Sequence, residues 1–463
     1  MKTNQIEYLR KKNKMSQENL ADKLGITRQT ISEWERCEAY PSVERLIQLS
    51  ELFNVSLDFL IFGKEHERLN TEETETNEFK FSRLSNTNTY VFGEKDGQMV
   101  SSKDNEPIGN TIIIGGCGSG KTRSIIFPNI LQALKREESI IINDVKGEIY
   151  DEIYDKIDKE KYDIKVLNLQ DYNKSDTWPI FTEMLDFDDS VYCDEILEKI
   201  YNHLLFEKNG DVYIENSCLT LFKAVSKLIL LDATKKPSQK SFKHITDTFI
   251  KNNIRKLNSM FNTLPIDHPA KDNFAILKYN PEILNELYAK LCIKLVRCTD
   301  NISFSKLTDY KDNNININNI LCKKTALFIK SPMCSSYLSN IMNLFFDILR
   351  YKLNIKGKGH NISLFLDEAQ SLGNSIEKFQ NKYYSDNMDV TVCMQRLLKD
   401  KVDELFVYYR NIVLVGNHTA MDLAIMKDQL GLTQDELQAL SNRNYAVIKR
   451  NMKNIIVRKE FDH

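Results

Sequence analysis

The stretch Gly115–Thr122, "GGCGSGKT", matches G-x-x-x-x-G-K-[ST] and directly follows the apolar run "TIII". Few short patterns constrain a fold as tightly. Gly115, Gly116, Gly118 and Gly120, with Cys117 and Ser119 between them, let the backbone curl so that successive N–H groups converge on phosphate oxygens. Lys121 then reaches the β- and γ-phosphates of ATP, and the Thr122 hydroxyl becomes a Mg²⁺ ligand. Such a loop needs a strand before it and a helix after it, whose N-terminus faces the anion. "KTRSIIFPNILQAL" supplies that helix.

Hydrolysis requires a second, acidic element, and "ISLFLDEAQ" has the right form. Its apolar run places Asp367 and Glu368 at the C-terminal end of a strand. Asp367 would hold Mg²⁺ through water, and Glu368 would be the general base that orients or activates the attacking water. Gln395, after "VTVC", is placed either to sense the γ-phosphate or simply to end a strand. Asp144, Lys146 and Glu148 in "IINDVKGEIY" either line the same cleft or form a solvated turn.

Short β-branched runs recur from about Tyr90: Thr111–Ile114, Ser139–Asn143, Ile164–Asn168, Thr325–Ile329, Ile362–Leu366, Val390–Cys393, Ile412–Val415 and Tyr445–Ile448. Continuous apolar runs separated by helical segments predict a parallel sheet covered on both faces. The runs stop between Trp178 and Asn319, where helical patterns such as "ENSCLTLFKAVSKLILL" take over. The expected α/β domain therefore spans 90–177 and 320–463, with an all-α domain, 178–319, inserted into it.

The first 63 residues read as a separate small helical unit. Ser16 starts a helix over Gln17–Leu24, Gly25 stops it, Thr27 caps the next, and Ile31 and Trp34 mark that helix's buried side. Two further helices follow, the second from about Ser56. This arrangement offers the second helix to the major groove, with Thr27, Arg28, Gln29 and Ser32 facing outward. Arg pairs bidentately with guanine and Gln with adenine. Gln17 and the cluster Arg10, Lys11, Lys12 and Lys14 suit phosphates. Nine basic against nine acidic side chains leave Met1–Gly63 neutral, which also suits a bundle that binds protein or dimerises. The polar, acidic span 64–89 reads as a flexible linker or a structured surface arm.

The whole chain is 42% hydrophobic, 28% charged and carries a net charge of −2, an ordinary globular composition. Nine cysteines without a CxxC pair suit free thiols in a reducing cytoplasm. No run of about 20 apolar residues exists to span a membrane, so the reading is a cytoplasmic protein with no transmembrane segment of its own.

In this order, "GCGSGKTRSIIFPNI", "SIIINDVKGEIYDE", "LFLDEAQSLG" and "VTVCMQ" resemble the type IV secretion coupling proteins, the TraG/TraD-like family. The resemblance runs from about Gly97 to the C-terminus, with "TWPIFTEM" and "KTALFIKSP" flanking the inserted helices. It implies a RecA-like hexameric ATPase that brings DNA to a conjugation channel, with a relaxase and channel proteins as partners. The stretch Ser16–Ile61 resembles the phage-repressor (XRE-type) helix-turn-helix, with Cys37 where such modules often have glycine. Two departures stand out. A helix-turn-helix occupies the place of the family's transmembrane helices. The segment where the family tends to carry a finger arginine reads "KYYSDNMD", with Lys382 as its nearest cation, so Arg396 or Arg410 substitutes or hydrolysis is slow or differently triggered.

The leading expectation is an ATP-driven DNA-transfer motor targeted by its helix-turn-helix. The alternatives are a transcriptional regulator whose ATPase part only switches its oligomeric state, and a defective defence or plasmid-maintenance factor.

Overall fold

A computed structural model describes residues 5–36, 39, 41, 43–53, 55, 74–75, 79–82, 89–103, 108–185, 190–277, 281–331, 336–356, 359–369, 388–396, 408–416, 418–442, 444–450 and 453–459. The helix expected near Ser56, together with Cys37, Cys334 and Lys382, lies outside them. The chain divides into two compact units, an N-terminal helical one and a much larger α/β one.

In the helical unit, Ser16 accepts from the Asn19 N–H to start Gln17–Leu24, and Gly25 ends that helix with φ 61°. Thr27 accepts from the Thr30 N–H to start Arg28–Glu35. Gln5–Lys12 and Val43–Phe53 complete the set of described helices. Their apolar stripes meet in one small core containing Leu9, Leu20, Leu24, Ile31, Trp34 and Leu49. Amphipathic spacing put Ile31 and Trp34 on the inner side, and burial of that side is what stabilises helices this short.

The α/β unit is built on a sheet. Its strands are β3 (Val91–Lys95), β4 (Gln98–Ser101), β5 (Thr111–Ile114), β6 (Ser139–Asn143), β7 (Asp163–Asn168), β8 (Thr325–Lys330), β9 (Ile362–Leu366), β10 (Met388–Met394), β11 (Asn411–Val415), β12 (Tyr445–Arg450) and β13 (Lys453–Arg458), which follow two short strands, β1 (Thr74–Glu75) and β2 (Lys80–Ser82). From β3 onward the order is β7-β8-β6-β9-β10-β5-β11-β12-β13-β3-β4. The seven strands from β7 to β11 in that order are parallel. β5, β6, β9 and β11 are buried along their whole length, as strands covered on both faces must be.

One strand differs from its expected direction. The apolar pattern of Tyr445–Ile448 predicts another parallel strand, yet β12 runs antiparallel to β11 and turns back into β13. The helices Ala420–Asp428 and Gln434–Ser441 bring the chain from the C-terminal end of β11 to the near end of β12, not back to the far end. A large mixed sheet commonly ends in antiparallel strands of this kind. Within the span read as linker or surface arm, β1 and β2 are strands, Phe79 and Lys80 are buried, and Phe79 meets Phe92 edge-on at 5.8 Å.

The helical stretch enters between edge strand β7 and its neighbour β8. From Ile180 to Cys322 the described residues contain helices and no strand. Glu183, fully buried, stitches this stretch to the rest: it accepts from the Trp178 indole N–H and the Ile317 N–H and pairs with the buried Lys352. Inside the stretch, Glu215 pairs with Lys294 and accepts from the Tyr201 hydroxyl at 2.9 Å.

Candidate nucleotide site and candidate DNA-reading helix

Parallel pairing lines up the C-terminal ends of β6, β9, β10, β5 and β11, and the loop Gly115–Thr122 rises from β5 at that edge. Gly115 lies so close to β11 that a Cβ there would sit 2.5 Å from the Val415 carbonyl oxygen, so only glycine fits. Gly118 and Gly120 hold φ of 70° and 84°, the left-handed conformation that turns the loop around its own N–H groups. Lys121 is buried and donates to the carbonyl oxygens of Gly115 (2.6 Å) and Gly116 (2.9 Å) and weakly to Ser119 Oγ. Cys117 is exposed beside it.

The helix after the loop begins with a π-helical turn, Thr122–Ile126, and continues as Phe127–Lys135. Single π turns of this sort cluster at functional sites. Asn129 explains part of the "FPN" signature. Its amide accepts from the Val91 N–H (2.7 Å) and donates to the Val91 and Ile125 carbonyls (both 2.8 Å), fastening the helix to β3 at a bulge.

β10 separates β5 from β9, so the acidic pair stands one strand away from the loop. The helix start closes that gap. Thr122 Oγ1 donates to Asp367 Oδ2 at 3.2 Å. Asp367 is buried, and burial pushes its carboxyl upward while the Thr122 hydroxyl and the Glu368 N–H (3.0 Å) oppose the shift. Asn143 clasps the strand end from β6, donating its amide to the Asp367 carbonyl at 3.0 Å. Glu368 stands at φ 48°, unusual for a residue with a side chain, and its carboxylate meets Lys146 Nζ at 2.9 Å. Gln395, half-buried, follows the C-terminal end of β10, between the loop and the acids.

Other residues are sorted by the same edge. Asp144 is buried and holds its own turn, accepting from the Gly147 and Tyr150 N–H groups at 2.8 Å each. Glu148 is exposed. Arg396 is exposed beside Gln395 at the loop end. Arg410 precedes β11 and packs over Gly109, at the opposite end of the strands from this chain's own loop. Lys459, which no sequence signal singled out, is buried and donates to the Ser119 carbonyl at 2.5 Å. The β12–β13 hairpin carries it there.

In the helical unit, Thr27, Arg28 and Gln29 are exposed and Ser32 half-buried along one helix, with Gln29 bonded to Glu33 at 3.2 Å. Gln17 and Arg10, expected at phosphates, are both engaged by Glu35 here. Gln17 donates to Glu35 at 2.8 Å, and Arg10 forms a two-pronged pair with the same carboxylate at 2.5 and 3.0 Å. Burial raises the Glu35 carboxyl, but the bonds from Arg10 and Gln17 outweigh it and leave it below the ordinary glutamate value. A buried carboxylate needs hydrogen-bond donors, and these two side chains supply them.

Loop, acidic pair and intervening strand together define a P-loop nucleotide hydrolase of RecA-like fold with an inserted all-α region, preceded by a helix-turn-helix. Known proteins agree. The family description "Type IV secretory system Conjugative DNA transfer" matches residues 65–396, and "Helix-turn-helix" matches residues 6–60. The chain belongs to the type IV secretory conjugative DNA-transfer family. The unbound bacterial conjugative coupling protein TrwB shares its fold, with a TM-score of 0.54 at 14% identity over 79% of this chain and 87% of that one. VirB4 of Thermoanaerobacter pseudethanolicus does so at a TM-score of 0.52 and 14% identity, over 80% and 96% of the two chains. An uncharacterized HTH-type transcriptional regulator of Bacillus subtilis, YqaE, is 33% identical over 95 residues, 20% of this chain and 76% of its own length. Among the described residues, no helix is long and apolar enough to cross a membrane.

Proposed function

We propose that this protein is an ATP-driven DNA-transfer motor, in which the helix-turn-helix recruits the ATPase to DNA. The observation that carries the reading is the meeting of Lys121, Thr122, Asp367 and Glu368 at one strand edge across 245 residues of sequence. ATP lies in the loop Gly115–Thr122, with Lys121 leaving its two carbonyl partners for the β- and γ-phosphates. Water attacks the γ-phosphorus in line, the bond from that phosphorus to the β–γ bridging oxygen breaks, and ADP leaves with the electron pair. Glu368 takes the proton from the attacking water. Gln395 is placed to sense whether the γ-phosphate is present.

The donor set fits Mg²⁺. The Thr122 hydroxyl and the buried Asp367 carboxylate are hard oxygen ligands, and a carboxylate buried at that depth calls for a cation. When bound, Mg²⁺ neutralises phosphate charge. TrwB, whose fold this chain shares, has been solved with ADP and Mg²⁺.

Thr27, Arg28, Gln29 and Ser32 read base edges or phosphates of a recruiting site, such as a transfer origin. By analogy with the family the working form is a ring of identical subunits at the cytoplasmic end of a secretion channel, receiving DNA from a relaxase. Turnover measured with and without single- and double-stranded DNA, for wild type and Lys121→Ala, tests this. DNA-stimulated turnover lost in the variant supports the motor. An unchanged rate with DNA, joined to nucleotide-dependent operator binding, would replace it with an ATP-switched regulator, the reading that the HTH-type transcriptional-regulator relatives favour.

A further inference from the structure

The Lys146–Glu368 contact is a built feature. Lys146 stands on a turn with little freedom. Asp144, 1% exposed, anchors that turn through two backbone N–H groups, and Gln170 donates to the Val145 carbonyl at 2.7 Å. Gly147 completes it at φ 82°. β6 and β9 are neighbours in parallel register, with Asn143 opposite Leu366, so the turn after one strand necessarily overhangs the acids after the other. The Asp367 N–H donates to the Asn143 carbonyl at 3.2 Å, which extends the pairing into the catalytic corner. Glu368 meanwhile keeps a left-handed backbone that a side-chain-bearing residue holds only when its surroundings impose it. Two partners are visible for that imposition: the Asp367 carboxylate on its N–H and the Lys146 ammonium on its carboxylate.

We propose that Lys146 is a positioning residue that restrains Glu368 in the DNA-free protein and so slows ATP turnover until DNA is engaged. An ammonium 2.9 Å from a carboxylate oxygen takes one of the carboxylate's lone-pair sites and lowers its affinity for a water proton. The pair is partly exposed, with Lys146 at 39% and Glu368 at 20% of their side-chain surface. Contacts of that kind are weak, so the restraint is a factor of about two to five, a brake and not a lock. A weak brake can be released by binding energy at the DNA sites.

This inference rests on the hydrolytic reading above. Its test is steady-state turnover of the full chain, with and without DNA, for wild type, Lys146→Gln and Lys146→Arg, with Lys121→Ala as the reference for hydrolysis. Lys146→Gln should raise the DNA-free kcat by about two- to fivefold, leave KM within about twofold, and shrink the stimulation by DNA in proportion. Lys146→Arg keeps the ion pair and should match wild type. Lys146→Gln combined with Glu368→Gln should lose the gain, because the brake acts only through that carboxylate. A Lys146→Gln enzyme whose basal kcat is unchanged or lower overturns the inference, as does a marked rise in KM, which would make Lys146 a phosphate ligand. If wild type shows no turnover that Lys121→Ala removes, the hydrolytic reading itself falls.

Discussion

Two buried carboxylates show how differently this chain uses charge. Glu183, between the inserted helices and the sheet, is saturated: an indole N–H, a backbone N–H and the Lys352 ammonium satisfy it, and all three side chains are fully buried. Asp367 at the strand edge is buried too, yet its described partners are one hydroxyl and one backbone N–H, and burial leaves its carboxyl shifted upward. The first arrangement holds the fold together. The second leaves a buried carboxylate with fewer partners, as the proposed Mg²⁺ site requires.

Substitutions should separate the two. The largest effect is expected at Glu368→Gln, with turnover falling about a hundred- to ten-thousandfold while the unfolding midpoint stays put. Glu183→Ala should do the reverse in kind, costing about 3–5 kcal/mol of stability by stranding the Lys352 ammonium in the core. Denaturant unfolding of both variants decides it; a stable Glu183→Ala protein, or an unstable Glu368→Gln one, would break the contrast.

The helical unit repeats the distinction on a smaller scale. Arg28 and Gln29 are exposed and Glu35 is spent internally. Arg28→Ala should weaken binding to a sequence selected from random duplexes by about 1–3 kcal/mol, with thermal stability unchanged. Gln17→Ala should instead be felt mainly as stability, because its amide serves Glu35. Equal losses of DNA affinity in the two variants would restore the phosphate role to Gln17.

The smallest effect is on pH. The Glu35 carboxyl is lowered in the folded unit, so its contribution is present above the unfolded glutamate value and is lost as pH falls through the folded one. Melting of the helical unit followed by Trp34 fluorescence should therefore decline from about pH 4.5 downward, and Glu35→Gln should flatten that limb while lowering the plateau.

Local chemistry was legible in the sequence. A phosphate loop is written by glycines that must curl and a lysine that must reach, and an acidic pair is written by carboxylates directly after an apolar run. The helix starts at Ser16 and Thr27 were equally plain, because an N-cap is a bond across three residues. Outward-facing Arg28 and Gln29 followed from helical periodicity alone.

What stayed hidden depends on neighbours far apart in the chain. No spacing rule says that Gln17 turns toward Glu35, since either direction suits a polar residue at a helix start. β12 reads as one more apolar run, and only the path of the two preceding helices reverses it. Lys459 reaches Ser119 across 340 residues through a hairpin. Lys146 meets Glu368 because β6 and β9 happen to be adjacent in the sheet.

By itself, then, the sequence determined a nucleotide clamp, an acidic partner for it, a parallel α/β scaffold and a helix-turn-helix, since each is encoded by residues close in the chain. Tertiary structure alone decided strand order, and with it which cation stands over Glu368 and which buried acids are already satisfied. The physical reason is range: propensity, capping and loop chemistry act over a few residues, whereas a hydrogen bond or ion pair acts over a few ångströms and takes no account of sequence distance.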